Sequence, residues 1–483
     1  MKIGILVVVT LIAVFAFSDV TWEREIVESG DDYWDFTWNS LAVDTSGAPH
    51  IVYDELAINC KIVYSYRTTS SWQREIIESG PDLLYYAFAL VFDADNIPHV
   101  SYYRRDDAVG KTYVCYARRE DTGWQRTTVD SCANYWYWYT YSSIDVDTLG
   151  LPGIAYILWN PADSLHYIKY AHYNGTDWDA SVVEYDSAFA NSQIWPTDMS
   201  PSLKYDSRNT PFIAFYQYYH QVDTIKIACY DDTQNQWVVE PAIAMPMTAP
   251  PVSLQLNSLD DPCVAHGWGP YVAYSWCDSV SWHTESTGTT MGWSGIQIIL
   301  DLDILDNPHI VYLPDPTIGH PCYSYKKDGV WHNCGWIEPN LYLITFDVHI
   351  SFDLDENDQP HVLYPCESST HRYLKYAKGT VDGVEEMDGI QVPRVLRLDI
   401  CPNPFKKTTQ IRYVIAEGSE GNIVIYDRSG RVVKRFARAD VRHSSQISWD
   451  GCDDYDTPVP AGVYFVHLAI ADHSEIVKVV LLR

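Results

Sequence analysis

The sequence lacks the short motifs by which many enzymes are recognised. It has no His-Glu-x-x-His, no Gly-x-Ser-x-Gly, no phosphate-binding glycine loop, no dinucleotide-binding fingerprint and no Cys-x-x-Cys. Basic residues are also scarce, since 33 Lys and Arg stand against 64 Asp and Glu and the net charge is −31. A field of that sign repels phosphate backbones and anionic lipid headgroups. The sequence therefore predicts no nucleic-acid partner and no binding to membrane surfaces.

Apolar and aromatic residues, by contrast, are abundant. The apolar fraction is 47%, and there are 37 Tyr, 18 Trp and 13 Phe. This composition excludes a disordered chain and favours strands over helices. A chain of 483 residues also exceeds the length at which single cores stop growing, about 250–300 residues. We expect a folded, β-rich protein with at least two domains.

The first 18 residues have the pattern of a secretory signal peptide. Lys2 precedes an apolar run over residues 3–15, and the small residues Ala16 and Ser18 stand at positions −3 and −1 of a cleavage site. The alternative, a membrane anchor, would need an apolar run of about 20 residues. We therefore predict a signal peptide over residues 1–18 and no transmembrane anchor after its cleavage.

Export has a consequence for the cysteines. An exported chain meets oxidising conditions, in which disulfides persist. The chain has 11 cysteines, an odd number, so at least one is expected to have no disulfide partner. The local spacings predict one bridge between Cys322 and Cys334, across a Lys-Lys-Asp-Gly turn, and another between Cys401 and Cys452.

A unit of about fifty residues repeats seven times between residues 19 and 382. Each copy has an apolar strand ending in Asp or Asn, four variable residues, Pro, and a short strand such as His-Ile-Val-Tyr. The turns begin at Asp44, Asp93, Asp147, Asp206, Asn257, Asp303 and Asp355. The residues two before each Pro tolerate a positive φ, and they are Gly47, Asn96, Gly150, Asn209, Asp260, Asp306 and Asp358. We predict a tight turn between paired strands in every copy.

The leading residue of each turn has two interpretations. It caps the turn by accepting backbone N–H bonds, or the series of acidic loops binds calcium. Calcium takes about six to eight oxygen ligands, whereas each loop offers one or two carboxylates, so we favour capping and predict no cofactor. The histidines after the repeat Pro are interpreted as structural rather than as metal ligands. They are His50, His99, His309 and His361.

Two more strands follow the turn in each unit. The first alternates, as in residues 62–66, and the second opens with a tryptophan. These tryptophans are Trp72, Trp124, Trp178, Trp237, Trp282 and Trp331. Four antiparallel strands form a propeller blade, and residues 22–30 provide the strand that the seventh unit lacks. We predict an all-β fold in which residues 19–382 form a seven-bladed β-propeller closed by the N-terminal strand.

The unit Asp-x4-Pro-His-Ile-Val-Tyr, with its Tyr-Ala and Trp strands, resembles the repeats of secreted bacterial propellers grouped in the sialidase-like, BNR-type superfamily. The resemblance covers residues 19–382 and implies a fold rather than an activity. The Ser-x-Asp-x-Gly-x-x-Trp box of true sialidases is missing. Arg24, Arg74 and Arg126 lie on the Trp strands instead of where strands line a channel. The resemblance therefore implies a non-catalytic member.

After a polar linker at residues 383–395, the sequence changes its pattern. Residues 396–483 contain Pro-Asn-Pro-Phe, Tyr-Asp-x-x-Gly-Arg, Trp-Asp-Gly, Ala-Gly-Val-Tyr and a final Lys-Val-Val-Leu-Leu. They resemble the C-terminal sorting domain of type IX (Por) secretion and the immunoglobulin-like domain of flagellar hook scaffold proteins. The resemblance implies an Ig-like β-sandwich that the type IX secretion machinery reads as an address. The alternative is an accessory β-sandwich.

Aromatic residues concentrate in the predicted connections from one blade's fourth strand to the next blade's first strand. The candidate ligand-binding residues are Trp34, Trp38, Tyr85, Tyr86, Tyr135, Trp136, Tyr137, Trp138, Trp195 and Trp336. In propellers these connections surround the mouth of the central channel. Flat rings beside carboxylates suit stacking on sugars or holding a protein segment. The alternative is that the rings pack between blades.

These patterns predict a secreted or outer-surface binding module whose propeller face binds a glycan or an extracellular protein. A sialidase-like glycoside hydrolase or lyase at the channel mouth is a second hypothesis, because the many Asp and Glu leave a catalytic carboxylate pair open. A structural or adhesion protein of the cell surface is a third. We assign no catalytic residue and no metal ligand.

Overall fold

The computed structural model describes most of the chain. The described residues are 20–30, 36–56, 60–133, 142–160, 162–163, 165–186, 200–219, 222–231, 233–245, 252–278, 281–290, 297–314, 320–338, 349–367, 371–381, 397–401, 405–414, 421–428, 431–436, 446–455, 457–470 and 473–482. All regular elements among them are β-strands. Within these ranges we find no apolar helix of membrane-spanning length. The predicted signal peptide and linker lie outside the described residues. The chain divides into two compact units, Met1–Val384 and Glu385–Arg483.

Between residues 20 and 381, the described strands form seven four-stranded antiparallel sheets, numbered here by their first strands. The first strands are β2 (Asn39–Val43), β6 (Leu83–Phe92), β10 (Ser142–Val146), β14 (Ser202–Tyr205), β18 (Ser253–Leu256), β22 (Ile298–Leu302) and β26 (Ser351–Leu354). The second strands all begin at the repeat Pro and are β3 (Pro49–Glu55), β7 (Pro98–Asp106), β11 (Pro152–Asn160), β15 (Pro211–Tyr219), β19 (Pro262–Trp268), β23 (Pro308–Tyr312) and β27 (Pro360–Glu367).

The third and fourth strands complete each sheet. The third strands are β4 (Cys60–Arg67), β8 (Lys111–Glu120), β12 (Leu165–Tyr173), β16 (Val222–Asp231), β20 (Tyr271–Cys277), β24 (Cys322–Lys327) and β28 (Arg372–Val381). The fourth strands are β5 (Trp72–Gly80), β9 (Gly123–Ala133), β13 (Trp178–Asp186), β17 (Gln236–Met245), β21 (Trp282–Thr290), β25 (Val330–Trp336) and, for sheet 7, β1 (Val20–Gly30). The arrangement is propeller-like.

The N-terminal strand joins the last sheet, as the sequence predicts. β1 pairs antiparallel with β28, in a register that runs from Val20 opposite Val381 to Gly30 opposite Arg372. Arg24 holds the strand to the neighbouring sheet, since its Nε donates to the carbonyl oxygen of Ile337 at 2.8 Å. The N-terminal strand that contains Trp22 is therefore the fourth strand of sheet 7.

Each first strand ends in a turn that its leading Asp or Asn caps. Oδ1 of Asp44 accepts the N–H groups of Ser46 and Ala48, both at 2.9 Å, and the other six turns repeat this pair of bonds. The residues two before the Pro have φ between 57° and 78°, which confirms the turn prediction. These oxygens are engaged by the backbone, which supports capping over calcium binding.

The histidines after the repeat Pro join the turn to the third strand. His99 is buried, with Nε2 3.1 Å from Oδ2 of Asp93 and Nδ1 2.7 Å from the hydroxyl of Tyr116. His50, His309 and His361 contact the corresponding Asp and Tyr in the same way. Burial lowers the pKa of His99, so the ring is neutral at pH 7 and accepts one hydrogen bond while donating the other. This geometry agrees with the structural interpretation.

Side chains of one sheet satisfy backbone donors on the first strand of the next. Ser40 Oγ accepts the N–H of Leu90 at 3.0 Å, and Ser351 Oγ accepts the N–H of Leu41 at 2.7 Å. The same bond recurs from sheet 3 to 4, 4 to 5 and 5 to 6. A serine of the preceding sheet thus satisfies a backbone donor at the edge of five of the first strands. The Ser351 bond connects sheet 7 to sheet 1.

The predicted bridge between Cys322 and Cys334 is wrong. In the pairing of β24 with β25, Cys322 lies opposite Trp336. Cys334 stands at the register shift between the two strands and has no residue opposite it in this pairing. The two thiols point to different acceptors, the carbonyl oxygens of His320 and His332. Burial raises the pKa of the Cys322 thiol to about 12. The second predicted bridge involves Cys401, whose side chain lies outside the described residues.

The C-terminal unit has two sheets. Its strands are β29 (Arg397–Cys401), β30 (Thr409–Val414), β31 (Gly421–Asp427), β32 (Val432–Arg435), β33 (Gln446–Trp449), β34 (Gly462–Ile470) and β35 (His473–Leu481), ordered β29-β30-β33 and β32-β31-β34-β35. Trp449 is fully buried between Phe405 and Tyr464. Its Nε1 donates to the carbonyl oxygen of Cys452 at 2.9 Å. The Trp-Asp-Gly motif thus supplies the core of this unit.

Candidate functional site

The aromatic residues proposed from the sequence fall into two groups. Six of them, Trp34, Tyr135, Trp136, Tyr137, Trp138 and Trp195, lie outside the described residues. The other four are described, and they lie in or beside the connections between sheets. Since the first strands end at the Asp-x4-Pro turns, these connections emerge at the opposite end of the strands. We refer to that end as the connection end.

Trp38 is buried, and it stacks on a histidine from the connection that precedes sheet 7. Its ring lies 3.8 Å from that of His349 with an interplanar angle of 20°, and its backbone N–H donates to Oδ1 of Asp54 at 2.9 Å. Burial lowers the pKa of His349 to about 3, so this ring is neutral. Nδ1 of His349 lies 2.6 Å from Nε2 of Gln297. Trp38 therefore packs sheets together and does not face solvent.

Tyr85 and Tyr86 belong to a tyrosine cluster at the start of sheet 2. Tyr85 is buried beside Tyr102, and Tyr86 is half-buried and stacks on Tyr103 with ring centroids 5.3 Å apart. Burial raises the pKa of Tyr85. The hydroxyl of Tyr103 donates to the carbonyl oxygen of Ile157 in sheet 3 at 2.8 Å. The two predicted tyrosines thus lie on a sheet-to-sheet contact.

Trp336 differs from the other three because half of its surface is exposed, 50%. It is the last residue of β25, at the connection end. One face of its ring stacks on the buried His320, with centroids 4.5 Å apart and an interplanar angle of 27°. This backing fixes the indole while leaving part of it open to solvent, which is the arrangement an aromatic platform needs.

Sequence reasoning did not find a carboxyl pair on the inner strands. Asp301 in β22 and Asp353 in β26 occupy the same repeat position. Oδ2 of Asp301 accepts the N–H of Leu354 at 3.0 Å, and Oδ2 of Asp353 accepts that of Val43 at 2.7 Å. Burial raises the pKa of both carboxyls. The negative charge of Asp301 raises the pKa of Asp353 further, because like charges disfavour the ionised form.

The same repeat position in sheets 3 and 4 adds a third carboxylate and its counter-charge. Asp145 accepts the N–H of Tyr205 at 2.7 Å, and burial raises its pKa. Lys204 lowers the pKa of all three carboxyls by charge attraction. The alignment of the repeats contained the signal, because each of these residues stands two before a turn Asp. The first strands of sheets 3, 4, 6 and 7 thus carry charged side chains near the turn end.

The two carboxyls also connect neighbouring sheets, because each accepts a backbone N–H of the next sheet. The pair therefore joins sheets 6, 7 and 1.

The arginines of the Trp strands pair with separate partners. Arg74 contacts Glu28 and Glu55, and Arg126 lies 3.7 Å from Glu78.

With regard to metals, the part of the chain that the structure describes contains no group of three or more His, Cys, Asp or Glu placed to hold an ion.

Comparisons with known proteins identify the C-terminal unit. Residues 399–482 match the family model of the secretion system C-terminal sorting domain. This domain marks proteins that type IX secretion exports to the cell surface or the extracellular space, which confirms the predicted localisation. No curated protein matches the chain.

Solved structures resemble the chain at low identity. The polysaccharide lyase Uly1 is 11% identical, with 74% of this chain and 91% of that chain covered and a TM-score of 0.47. A lectin of Aleuria aurantia in complex with Fucα1-6GlcNAc is 12% identical over 61% of this chain and 94% of that chain, with a TM-score of 0.41. An α-L-arabinanase of Penicillium chrysogenum with arabinobiose is 10% identical over 63% and 97%, with a TM-score of 0.40.

Proposed function

We propose that residues 19–382 form a closed seven-bladed propeller of the sialidase-like type, and that residues 396–483 form an Ig-like sandwich. Several contacts support closure. The first strand of each sheet contacts that of the next, including β26 with β2. β1 pairs with β28, and Leu41 and Val43 donate to Ser351 and Asp353 across the junction of sheets 7 and 1.

The function we propose is an exported binding module that holds a glycan at the connection end of the ring. The observation that carries this proposal is the exposed indole of Trp336, fixed from behind by His320. The apolar face of a sugar ring stacks on such a platform, while nearby carbonyls and amides bind its hydroxyls. An extracellular protein segment is the second ligand class, because the same exposed ring anchors protein interfaces.

The test is a glycan array probed with the full mature chain. We expect hits that Trp336→Ala weakens by about tenfold or more, the loss of one aromatic contact of about 1.5 kcal/mol. Trp136→Ala and Trp138→Ala, in the connection that enters sheet 3, are expected to act in the same direction. Tyr455→Ala removes an aromatic ring that is 88% exposed on the C-terminal unit, and it serves as the matched control. An array without hits would refute the glycan proposal, and turnover of an arrayed glycan would favour the hydrolase or lyase hypothesis.

A further inference from the structure

One aromatic contact recurs between neighbouring sheets. The Trp at or near the start of a fourth strand packs edge to face on a Tyr in the third strand of the preceding sheet. Six such pairs are described, with centroids 5.0–6.2 Å apart: Trp72 on Tyr376, Trp124 on Tyr64, Trp178 on Tyr116, Trp237 on Tyr170, Trp331 on Tyr274 and Trp22 on Tyr323. These contacts fill the junctions between sheets.

The junction between sheets 4 and 5 breaks this rule. Its tryptophan is Trp282, but the position of the repeat tyrosine holds Ile227, and two residues further on stands the small Cys229. A cavity of about 640 Å³ occupies this junction. Ile227 and Trp282 both line it, together with Phe212. Its volume is within the range of small-molecule sites, about 300–1,000 Å³.

A hydrogen bond is also missing at this junction. In four of the other six junctions, the indole N–H of the Trp donates to a residue of the preceding sheet that lies three positions after that sheet's own Trp, whereas the indole N–H of Trp72 has no acceptor within the described ranges. The acceptors are Glu75, Thr127, Ser181 and Glu285, at 3.0–3.2 Å. The corresponding acceptor for Trp282 is Glu240, three residues after Trp237. Among the described residues, the indole of Trp282 and the carboxylate of Glu240 form no such bond, and both line the cavity.

The remaining lining residues define the chemistry of a ligand. Phe212, Ile227 and Trp282 form an apolar wall, and the exposed Arg208 and Glu240 supply a donor and an acceptor at the opening. Asp231 also reaches the cavity, and hydrogen bonds from Thr233 lower its pKa, so it is anionic. Two carboxylates against one guanidinium, on a molecule of charge −31, repel anionic ligands.

We propose that this junction pocket binds a neutral saccharide unit. The apolar face of the sugar lies against Trp282 and Phe212. Its hydroxyls accept from Arg208 and the indole N–H, and they donate to Glu240, so that donor and acceptor gain the partners that four other junctions supply internally. The ligand class rests on the proposed glycan-binding function, but the site is separate from Trp336.

The test uses the full mature chain and calorimetric titration with a panel of neutral methyl glycosides of glucose, galactose, mannose, xylose and fucose, beside methyl glucuronide. We expect a neutral glycoside to bind and the glucuronide not to bind. Ile227→Tyr restores the repeat tyrosine and fills the cavity, so binding should be lost while the melting temperature is kept or raised. Glu240→Gln should weaken binding by about tenfold or more, since it removes a hydrogen bond to a charged group.

Two controls separate this pocket from the connection end. Glu285→Gln changes the corresponding residue of the next junction, which Trp331 and Lys326 already engage, and it should keep full affinity. Trp336→Ala should also keep it. If Ile227→Tyr and Glu240→Gln bind as the wild type does while Trp336→Ala loses affinity, the junction site is refuted and the proposed function stands. If the wild type binds no neutral glycoside of the panel, the junction site is refuted as well.

Discussion

At the scale of single residues, the repeated Asp side chains of the turns accept specific hydrogen bonds. The leading Asp of a turn caps that turn through Oδ1. The residue at the positive-φ position then reaches the preceding sheet, as when Asp260 accepts from the N–H and hydroxyl of Ser207 at 3.0 and 2.7 Å. Asp306 makes the same two bonds to Ser258. These carboxylates are held by backbone and hydroxyl donors, so a large negative charge is compatible with a compact ring.

The inner carboxyls Asp301 and Asp353 give a prediction for pH. Their pKa values are raised in the folded ring, so the folded state binds protons that the unfolded chain releases. The free energy of unfolding should therefore fall as the pH rises from the ordinary carboxyl pKa of about 4 through the raised values, by about 1.4 kcal/mol per pH unit for each carboxyl that is protonated only in the folded state. Asp353→Asn keeps a hydrogen-bonding side chain without a titrating proton and should flatten this slope. Urea unfolding between about pH 5 and 9 measures it.

Below about pH 4, other carboxyls act in the opposite direction. Hydrogen bonds lower the pKa of Asp44, Asp93 and Asp355, and the stability they add is lost as the pH falls through their folded values. Asp121→Asn, in an exposed turn, is the control and should leave the slope unchanged. An unaltered slope in Asp353→Asn would show that the raised pKa of Asp353 does not contribute to it.

At the scale of elements, every sheet has the same irregularity. The pairing of the third and fourth strands shifts register in all seven sheets. In sheets 1 and 3 the extra residues are Ile77 and Val183, and both are buried. A bulge re-aims one side chain and increases the local twist. The bulge thus adds an apolar contact between sheets that a strictly alternating strand would not make.

β1 provides the element-scale prediction. A chain that starts at residue 31 would leave the edge of β28 open and the contact of Trp22 with Tyr323 empty. Loss of a packed Trp alone costs about 3–5 kcal/mol, so we expect a clearly lower melting temperature and self-association through the open edge. Calorimetry and gel filtration report both effects. A peptide of residues 20–30 should restore stability, whereas the same peptide with Trp22→Ser should do so poorly. A monomeric truncated chain with the melting temperature of the wild type would contradict the closing role of β1.

At the scale of the whole molecule, the two compact units have separate tasks. The C-terminal unit matches the sorting domain, and the first unit, Met1–Val384, carries the candidate sites. Each unit has its own core, centred on Trp449 in the C-terminal unit and on several clusters in the first. Their separate cores predict that one unit tolerates the loss of the other.

We therefore expect removal of residues 385–483 to leave the melting temperature of the ring unchanged and to retain the protein inside the cell. Trp449→Ala should destabilise the C-terminal unit by about 3–5 kcal/mol and reduce the exported fraction. Tyr455→Ala, at an exposed position of the same unit, should export normally. Calorimetry of the ring and blots of medium, surface and cell fractions measure the outcome. Normal export of the truncated chain would contradict the sorting role.

Much of the fold could be predicted from the sequence, and less of the site. The turns were predictable because Asp44 and Gly47 act on backbone groups within four residues. The burial of Trp38 could not be predicted, because the ring on which it stacks, His349, stands about three hundred residues later in the chain. The Cys322 and Cys334 bridge failed for a local reason, since a bulge shifts the register between them. The junction pocket left one sequence signal, the Ile227 that replaces a repeated tyrosine.

The sequence by itself determined the repeats, the capped turns, the N-terminal strand of the last sheet and the sorting domain. Each of these depends on local φ preferences, on alternation along a strand or on a contiguous motif. Only the tertiary structure decided which carboxyls are buried with a raised pKa, which aromatic rings are buried and which junction stays open. Those properties depend on partners about fifty or three hundred residues away, which meet only when neighbouring sheets pack and the first sheet meets the last.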